Sequence, residues 1–295
     1  MGCESLTNID LSHFKTKNVT YISGMFYLCK SLTNLNLSNF DTKNITDMYG
    51  MFCGCESLTN LNLSNFDTKN DTNIRKMFYG FTSFTKIDLS NFDTKNVTDM
   101  SWMFSNCKAL KGIDLSFNTQ YINNMSGMFS GCESLINIDL SNFDTKNVTD
   151  MNWMFNKRKS STNLNSSKFD TKNVKNMSYM FNRCESIKNI DLSNFNTQNV
   201  NFMESMFGGC SSLTNIDLSS FNTKNVELMS GMFSECKSLI NLNLSSCDIK
   251  NNIPMNGIFY ECKSLKQNGI ITKDKKILKE FNPNLPDEKY NCYII

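Results

Sequence analysis

Apolar and polar residues alternate over short stretches of this chain, and the same pattern returns at a fixed interval. In residues 31–40 the apolar positions are Leu32, Leu35, Leu37 and Phe40, with Asn34, Asn36 and Ser38 between them. That alternation predicts a short strand with one buried face. A Met-Phe pair marks the phase. It begins at residues 25, 51, 77, 103, 128, 154, 180, 206 and 232, and Ile258-Phe259 closes the series. The step is 26 residues, with one step of 25 between Met103 and Met128. A fixed period of this size predicts a solenoid, because no single unit buries its apolar side without a neighbour.

Stacking in register predicts two inward ladders. One is Ile9, Leu35, Leu61, Ile87, Ile113, Ile138, Leu164, Ile190, Ile216 and Leu242. The other runs from Leu11 to Leu244 at the same spacing and is broken at Ser166. The Asp-Thr-Lys-Asn segment after Phe40 reads as a turn whose Asp and Asn bond to nearby backbone. The Met-Phe stretch is expected to form a short helical or 3₁₀ turn opposite the strands. Strands lie about 4.8 Å apart, so ten rungs predict a rod or shallow arc on the order of 45–50 Å long. Residues 1–265 are expected to form this solenoid and residues 266–295 a C-terminal cap and tail. In the tail Ile270, Ile271, Ile277, Leu278 and Phe281 are placed to cover the last rung. Gly2–Leu6 matches Gly54–Leu58, as expected of a fragment of a longer array or of a gene start inside an older one.

The run C-x-S-L-x-x-L-x-L-S-x-F is similar to a leucine-rich repeat. The fuller unit, MFxxCxSLTxLDLSxFDTxNVTxM, resembles the repeat of BspA-like leucine-rich-repeat surface proteins, in phase over roughly residues 2–265. The resemblance implies a leucine-rich-repeat-like solenoid. It also implies a non-enzymatic surface or secreted protein used in adhesion and protein binding; a protein or a glycan is the expected partner.

Charge and cysteine content narrow this further. Lys and Arg number 30 against 28 Asp and Glu, so the basic stripe of a nucleic-acid reader is missing. No run approaches 18 apolar residues, and no basic-then-apolar leader opens the chain. Sequons at Asn18, Asn44, Asn96 and Asn147 argue against a eukaryotic secretory route. Nine of the 12 cysteines share one repeat position, among them Cys29, Cys55, Cys107 and Cys184, and Phe81 and Arg158 take that place in two other units. A column that accepts Phe is an apolar core site, so these thiols are expected to be buried and free. The chain's one histidine, His13, stands in the column of Asn39 and Asn65 and has no ligand set around it. No cofactor, metal or catalytic residue is expected.

Binding is the remaining class of function. The outward strand positions paint a polar face that includes Asn34, Asn36, Asn60, Asn62, Asp88, Asp114 and Asp139. The slot before Met-Phe is usually small, yet it holds Trp102, Trp153 and Tyr179. Trp and Tyr are enriched at interface hot spots, so these three are read as a contact patch. The plainer reading is that each lies flat over its neighbouring rung. The unit at 154–179, with Arg158, Ser161 and Ser166 in core columns, is expected to fray or bend, and Asp71 stands where Val97 and Val148 stand in other units. The last four residues, Cys292 to Ile295, fit a C-a-a-X box, with Lys273, Lys275, Lys276 and Lys279 upstream. The alternative function is therefore an intracellular scaffold attached peripherally to a membrane through a prenylated Cys292.

Overall fold

The computed structural model describes residues 2–284 apart from 163, 165, 167, 251 and 252. Cys292, with its expected lipidation, lies outside the described residues. The chain divides into two compact units, residues 1–147 and 148–295. Each repeats the same rung.

The leucine stretch folds as its alternation predicts. Leu35, Leu37, Leu61, Leu63, Ile87 and Leu89 are buried in the first unit, and Leu164, Leu192, Ile216, Leu218, Leu242 and Leu244 in the second. Ile9, Ile113, Ile138 and Ile190 of the same ladder are half-buried. Among the described residues regular strands occur in the second unit, where β1 (Asn215–Asp217), β2 (Asn241–Leu244) and β3 (Ile270–Thr272) form a parallel sheet in that order. Ile216 pairs with Leu242, and Leu242 with Ile270.

Elsewhere the Met-Phe side carries most of the backbone bonding between rungs. The N–H groups of Ile22, Gly24, Phe26 and Leu28 donate to Asp47, Tyr49, Met51 and Cys53 of the next rung at 3.1, 2.8, 2.9 and 2.7 Å. The intervening N–H groups of Met25, Tyr27 and Cys29 instead donate three residues back, at 3.2, 2.9 and 3.2 Å. The expected 3₁₀-type turns are thus present one at a time. Gly24 and Leu28 have φ of +63° and +56°, and these left-handed residues stop successive turns from merging into a helix.

Inside each unit the phenylalanines of the Met-Phe pairs stack. Phe26, Phe52, Phe78, Phe104 and Phe129 follow one another at 5.7–6.0 Å with nearly parallel rings. Phe155, Phe181, Phe207, Phe233 and Phe259 do the same in the second unit at 5.6–6.0 Å. The cysteine column runs beside them. Cys55, Cys107 and Cys132 donate their thiols to the carbonyls of Phe26, Phe78 and Phe104 one rung back, at 3.2, 3.2 and 3.1 Å. All cysteines among the described residues are free, and all but Cys3 are buried. A thiol fits this column because it is small and apolar and still satisfies one carbonyl.

The Asp-Thr-Lys-Asn turn is the second spine. Buried Thr42 donates its hydroxyl to the Asp67 carbonyl at 3.0 Å and accepts the Asp67 N–H at 2.7 Å. Thr16, Thr68 and Thr119 pair the same way with the next rung, as does Thr171 in the second unit. Asn44, Asn70 and Asn96 donate their amides to the Lys17, Lys43 and Lys69 carbonyls at 2.8, 2.8 and 2.7 Å. Asp41 bonds locally to the Lys43 N–H, as the turn predicts, but Asn and Thr reach across to other rungs.

After Leu265 a 3₁₀ turn (Gln267–Gly269) leads into β3 and then α1 (Lys275–Phe281). Asp274 caps α1 by accepting the Lys276 N–H. Ile270, Ile277 and Leu278 are buried, and Phe281 sets its ring edge-on to Phe259 at 5.6 Å. Ile271 points outward instead, because β3 alternates and Ile270 and Thr272 take the inner face.

Candidate functional site

Two backbone columns set this solenoid's outer wall on the Met-Phe side. Among the described residues every positive φ lies either in the slot before Met-Phe or four residues later. Glycine fills nine of these positions and eleven carry a side chain. Left-handed backbone costs roughly 1–2 kcal/mol for a non-glycine residue. Trp102, Trp153 and Tyr179 sit at φ of +60°, +58° and +59°. Large aromatics are therefore held where glycine serves without strain, at Gly24, Gly50, Gly127, Gly231 and Gly257.

In the first unit Trp102 lies against the next rung. A Cβ on Gly127 would stand 2.4 Å from Cε3 of Trp102, so the indole occupies the space that a side chain there would need. Tyr27, Tyr49, Lys76, Tyr79 and Trp102 line a cavity of about 320 Å³, with Gly50 and Cys53 also in its wall. Its side chains are held in place. Arg75 lies over the Tyr49 ring at 5.9 Å, pairs with Asp99 at 3.3 Å and donates to the Ser101 hydroxyl at 2.8 Å. Asn106 donates to the Tyr79 hydroxyl at 2.9 Å. Tyr27 is 45% exposed.

In the second unit Trp153 and Tyr179 stack on each other at 4.2 Å and 16°. Tyr179 N–H donates to the Glu204 carbonyl at 2.8 Å. Burial and the Glu204 carboxylate push its phenol up to about 12. Together with Lys157, Asn182, Arg183, Ser205 and Ser234 the two aromatics line a cavity of about 410 Å³. Trp102 lies over Gly127 and Trp153 over Tyr179, each on the rung that follows, and all three rings also line a cavity.

The polar strand face is solvent-facing, as the alternation predicts: Asn34, Asn36, Asn60, Asn62, Asp88, Asp114 and Asp139 are all exposed. Most of the second column is used locally. Oδ1 of Asn36, Asn62, Asp88 and Asp139 accepts the N–H two residues on, at 3.0, 3.0, 3.0 and 2.9 Å. Ser90, through its N–H and then its hydroxyl, and Ser141, through its hydroxyl and then its N–H, hold the Asp88 and Asp139 carboxyls below the ordinary value. Asp114 makes no such bond among the described residues. Its rung is the 25-residue one, and the residue missing from it is the Asn that follows Ser90 as Asn91.

Three core positions hold polar residues in place of the apolar residue or thiol of other rungs. Asp71 is fully buried; its Oδ1 accepts the Asn73 N–H at 2.9 Å and its Oδ2 has no partner. Burial pushes its carboxyl up to about 7. Arg158, buried in the cysteine column, lies over the Phe155 ring at 5.6 Å. Ser166, in the place of a leucine, donates to the Asp191 carbonyl at 2.9 Å. Among the described residues no group of three or more His, Cys, Asp or Glu is placed to hold a metal ion, and no helix is long and apolar enough to cross a membrane.

Stacked 26-residue rungs with a leucine ladder, a phenylalanine ladder and a parallel sheet make this a repeat solenoid of the leucine-rich-repeat type. The chain belongs to the family described as "Mycoplasma protein of unknown function, DUF285", whose model matches residues 1–116, 113–190 and 157–273. No curated protein matches it. Among solved structures it is similar to a leucine-rich repeat protein from Bacteroides ovatus, at 16% identity and a TM-score of 0.46, over 86% of this chain and 59% of that one. A leucine rich cell surface protein from Faecalibacterium prausnitzii matches at 17% identity and a TM-score of 0.38, over 94% of this chain and 79% of that one. A leucine-rich repeat protein from Eubacterium ventriosum matches at 17% identity and 0.36, over 78% and 70%. This chain thus spans 59% of the Bacteroides protein's length.

The left-handed columns have a signal in the sequence beyond the Met-Phe phase. Glycine recurs at two fixed slots, as at Gly50 and Gly54, and paired glycines at a constant phase mark positive φ.

Proposed function

We propose that this chain is a non-catalytic adhesion scaffold of a cell surface, and that it grips a protein partner through the aromatic cavity of its first unit. The observation that carries this reading is the grouping of Tyr27, Tyr49, Tyr79 and Trp102 with Lys76 around one cavity, with Arg75 braced beneath Tyr49. Tyr, Trp and Arg are the residues that dominate binding energy at protein interfaces. Trp102 holds its place at a backbone cost, and strain of this kind gathers at functional sites. The polar strand face is the lesser candidate, because several of its oxygens already serve their own turns.

The test uses Trp102→Gly with Tyr49→Ser, against a control carrying Asn34→Ala and Asn60→Ala. Each full-length protein is immobilised and exposed to a cell-surface protein extract, and retained proteins are identified by mass spectrometry. At least one protein is expected on the wild type and the control and absent from the aromatic variant. Glycine relieves the left-handed strain, so Trp102→Gly alone is expected to change folding stability by less than about 1 kcal/mol. An unchanged set of retained proteins on the aromatic variant sinks the reading.

The second reading is an intracellular scaffold tethered by a prenylated Cys292. It is favoured by Lys273, Lys275 and Lys279, which are exposed on and beside α1. Lys276 does not join them, because its ammonium donates to the Ile249 carbonyl. The intact mass of the protein made in its own cell decides this reading.

A further inference from the structure

We propose that the second unit holds a separate binding site for an acidic monosaccharide, a sugar ring bearing one carboxylate, in the cavity beside Tyr179. The site shares no residue with the aromatic cavity of the first unit and stands whether or not that cavity binds protein.

Four left-handed side chains meet here. Trp153 and Tyr179 fill one left-handed column, and Lys157 and Arg183 fill the other, at φ of +56° each. Their backbone is pinned: Lys157 N–H donates to the Asn182 carbonyl at 2.8 Å and Arg183 N–H to the Gly208 carbonyl at 2.6 Å. Lys157 and Arg183 are equivalent residues of successive rungs, so two like charges are neighbours, an arrangement that costs stability. Among the described residues some lysines of this chain are paired with an acid, and others, such as Lys17, Lys43 and Lys69 in one column, are not. Lys30 pairs with Glu4, Lys95 with Asp93, Lys146 with Asp144 and Lys263 with Glu261. Among the described residues neither Lys157 nor Arg183 forms an ion pair. Two exposed cations that form no ion pair line one cavity, with Glu235 as the one acid in its wall.

The cavity itself is opened by glycine. A Cβ on Gly208 would stand 2.7 Å from Nδ2 of Asn182, and one on Gly209 would stand 2.9 Å from Cγ of Arg183. Both neighbours therefore lean over a floor with no side chains. One face of the Tyr179 ring is covered by Trp153. The next residue in that column is Ser205, whose small side chain lines the same cavity.

These features select the ligand. Arg183 suits a carboxylate, which its guanidinium grips by two parallel bonds. The Tyr179 ring in the cavity wall suits the flat apolar side of a sugar ring. Asn182, Ser205 and Ser234 offer both donors and acceptors for ring hydroxyls. Lys157, Arg183 and Glu235 leave one net positive charge in the lining. That balances a single carboxylate, whereas a phosphate brings about −1.5 to −2 and meets Glu235 as a repulsive neighbour. A volume of about 410 Å³ fits a small ligand more closely than an extended chain.

The test is saturation-transfer NMR and titration calorimetry on the full chain. The probes are N-acetylneuraminic acid and glucuronic acid, two sources of the same chemistry, with glucose, glucose 6-phosphate and N-acetylglutamate as comparisons. At least one of the two acids is expected to bind, with saturation transferred to its ring protons, and glucose is not. Arg183→Gly and Tyr179→Gly place in each column the residue that other rungs use there, so both are expected to fold. Each is expected to weaken the acid by at least about tenfold, the scale of a lost charge-assisted bond. Trp102→Gly is expected to leave it unchanged. Binding of neither acid overturns the proposal. So does glucose 6-phosphate or N-acetylglutamate binding as tightly as the sugar acid, or an acid affinity unmoved by Arg183→Gly.

Discussion

At the scale of single residues, Asp71 is the position where composition and place conflict most. Val97 and Val148 fill its column in other rungs, and all three side chains are buried. A lone carboxyl in that space stays protonated to about pH 7, against an ordinary value of 3.8, because ionising it there means losing water. The nearby Asp47 carboxylate pushes in the same direction. The unfolded chain loses this proton near pH 4 and the folded chain near pH 7. Folding stability is therefore greatest below pH 4 for this group and falls as pH rises, by about 1.4 kcal/mol per unit and about 4 kcal/mol in all. Asp71→Val is expected to stabilise the protein far more at pH 8 than at pH 4.5. Urea unfolding at the two values checks this, and a gain independent of pH contradicts it. The sequence shows the odd residue, but not that one of its oxygens has no partner.

At the scale of the rung, the two spines are different in kind. The leucine ladder was legible because its alternation is local, with Leu35 and Leu37 two residues apart. The threonine and asparagine pins were not, since Thr42 meets its partner at Asp67 and Asn44 meets Lys17, while in sequence both look like ordinary turn residues. The single 3₁₀-type turns were half legible: their period was visible, and the left-handed residues that interrupt them were hidden wherever a Trp or Tyr replaced glycine. The rung beginning at Met154 is expected to be the looser one of the second unit. Arg158 N–H to Phe155 and Ser161 N–H to Arg158 both span 3.4 Å, against 3.1 and 3.3 Å for the equivalent bonds of Cys184 and Ile187. Hydrogen exchange at Arg158 and Ser161 should run faster than at Cys184 and Ile187, and equal rates would contradict it. The phenylalanine ladder is the firmer part. Phe78→Ala removes a ring stacked on both sides by Phe52 and Phe104 and is expected to cost about 3–5 kcal/mol in thermal or urea unfolding.

At the scale of the whole chain, the thiols give the broadest check. Cys3 is exposed, whereas the other ten described cysteines are buried, and burial pushes Cys55, Cys184 and Cys247 up to about 12. Thiolate is the reactive form, so buried protonated thiols are inert on two counts. Labelling with a thiol reagent at pH 7, followed by peptide mapping, is expected to modify Cys3 in the native protein and the ten others after unfolding. Rapid native labelling of Cys107 or Cys184 would show that the column is open to solvent. Apart from Cys3 in the first rung, the buried, free state of this column was legible in the sequence, because one repeat fills the same slot with Phe81.

The side-chain bonds that join rungs recur at nearly constant offsets: 25 residues from Thr42 to Asp67, 27 from Asn44 to Lys17, and 29 from Cys55 to Phe26. Excising or duplicating one complete period therefore supplies every such bond with an equivalent partner on the new neighbour. Copy number becomes a quantity that unequal recombination can change without designing a new junction, while the amino acids at the left-handed slots drift independently. A gene built this way alters the length of its product and the chemistry of its outer wall by two separate kinds of mutation.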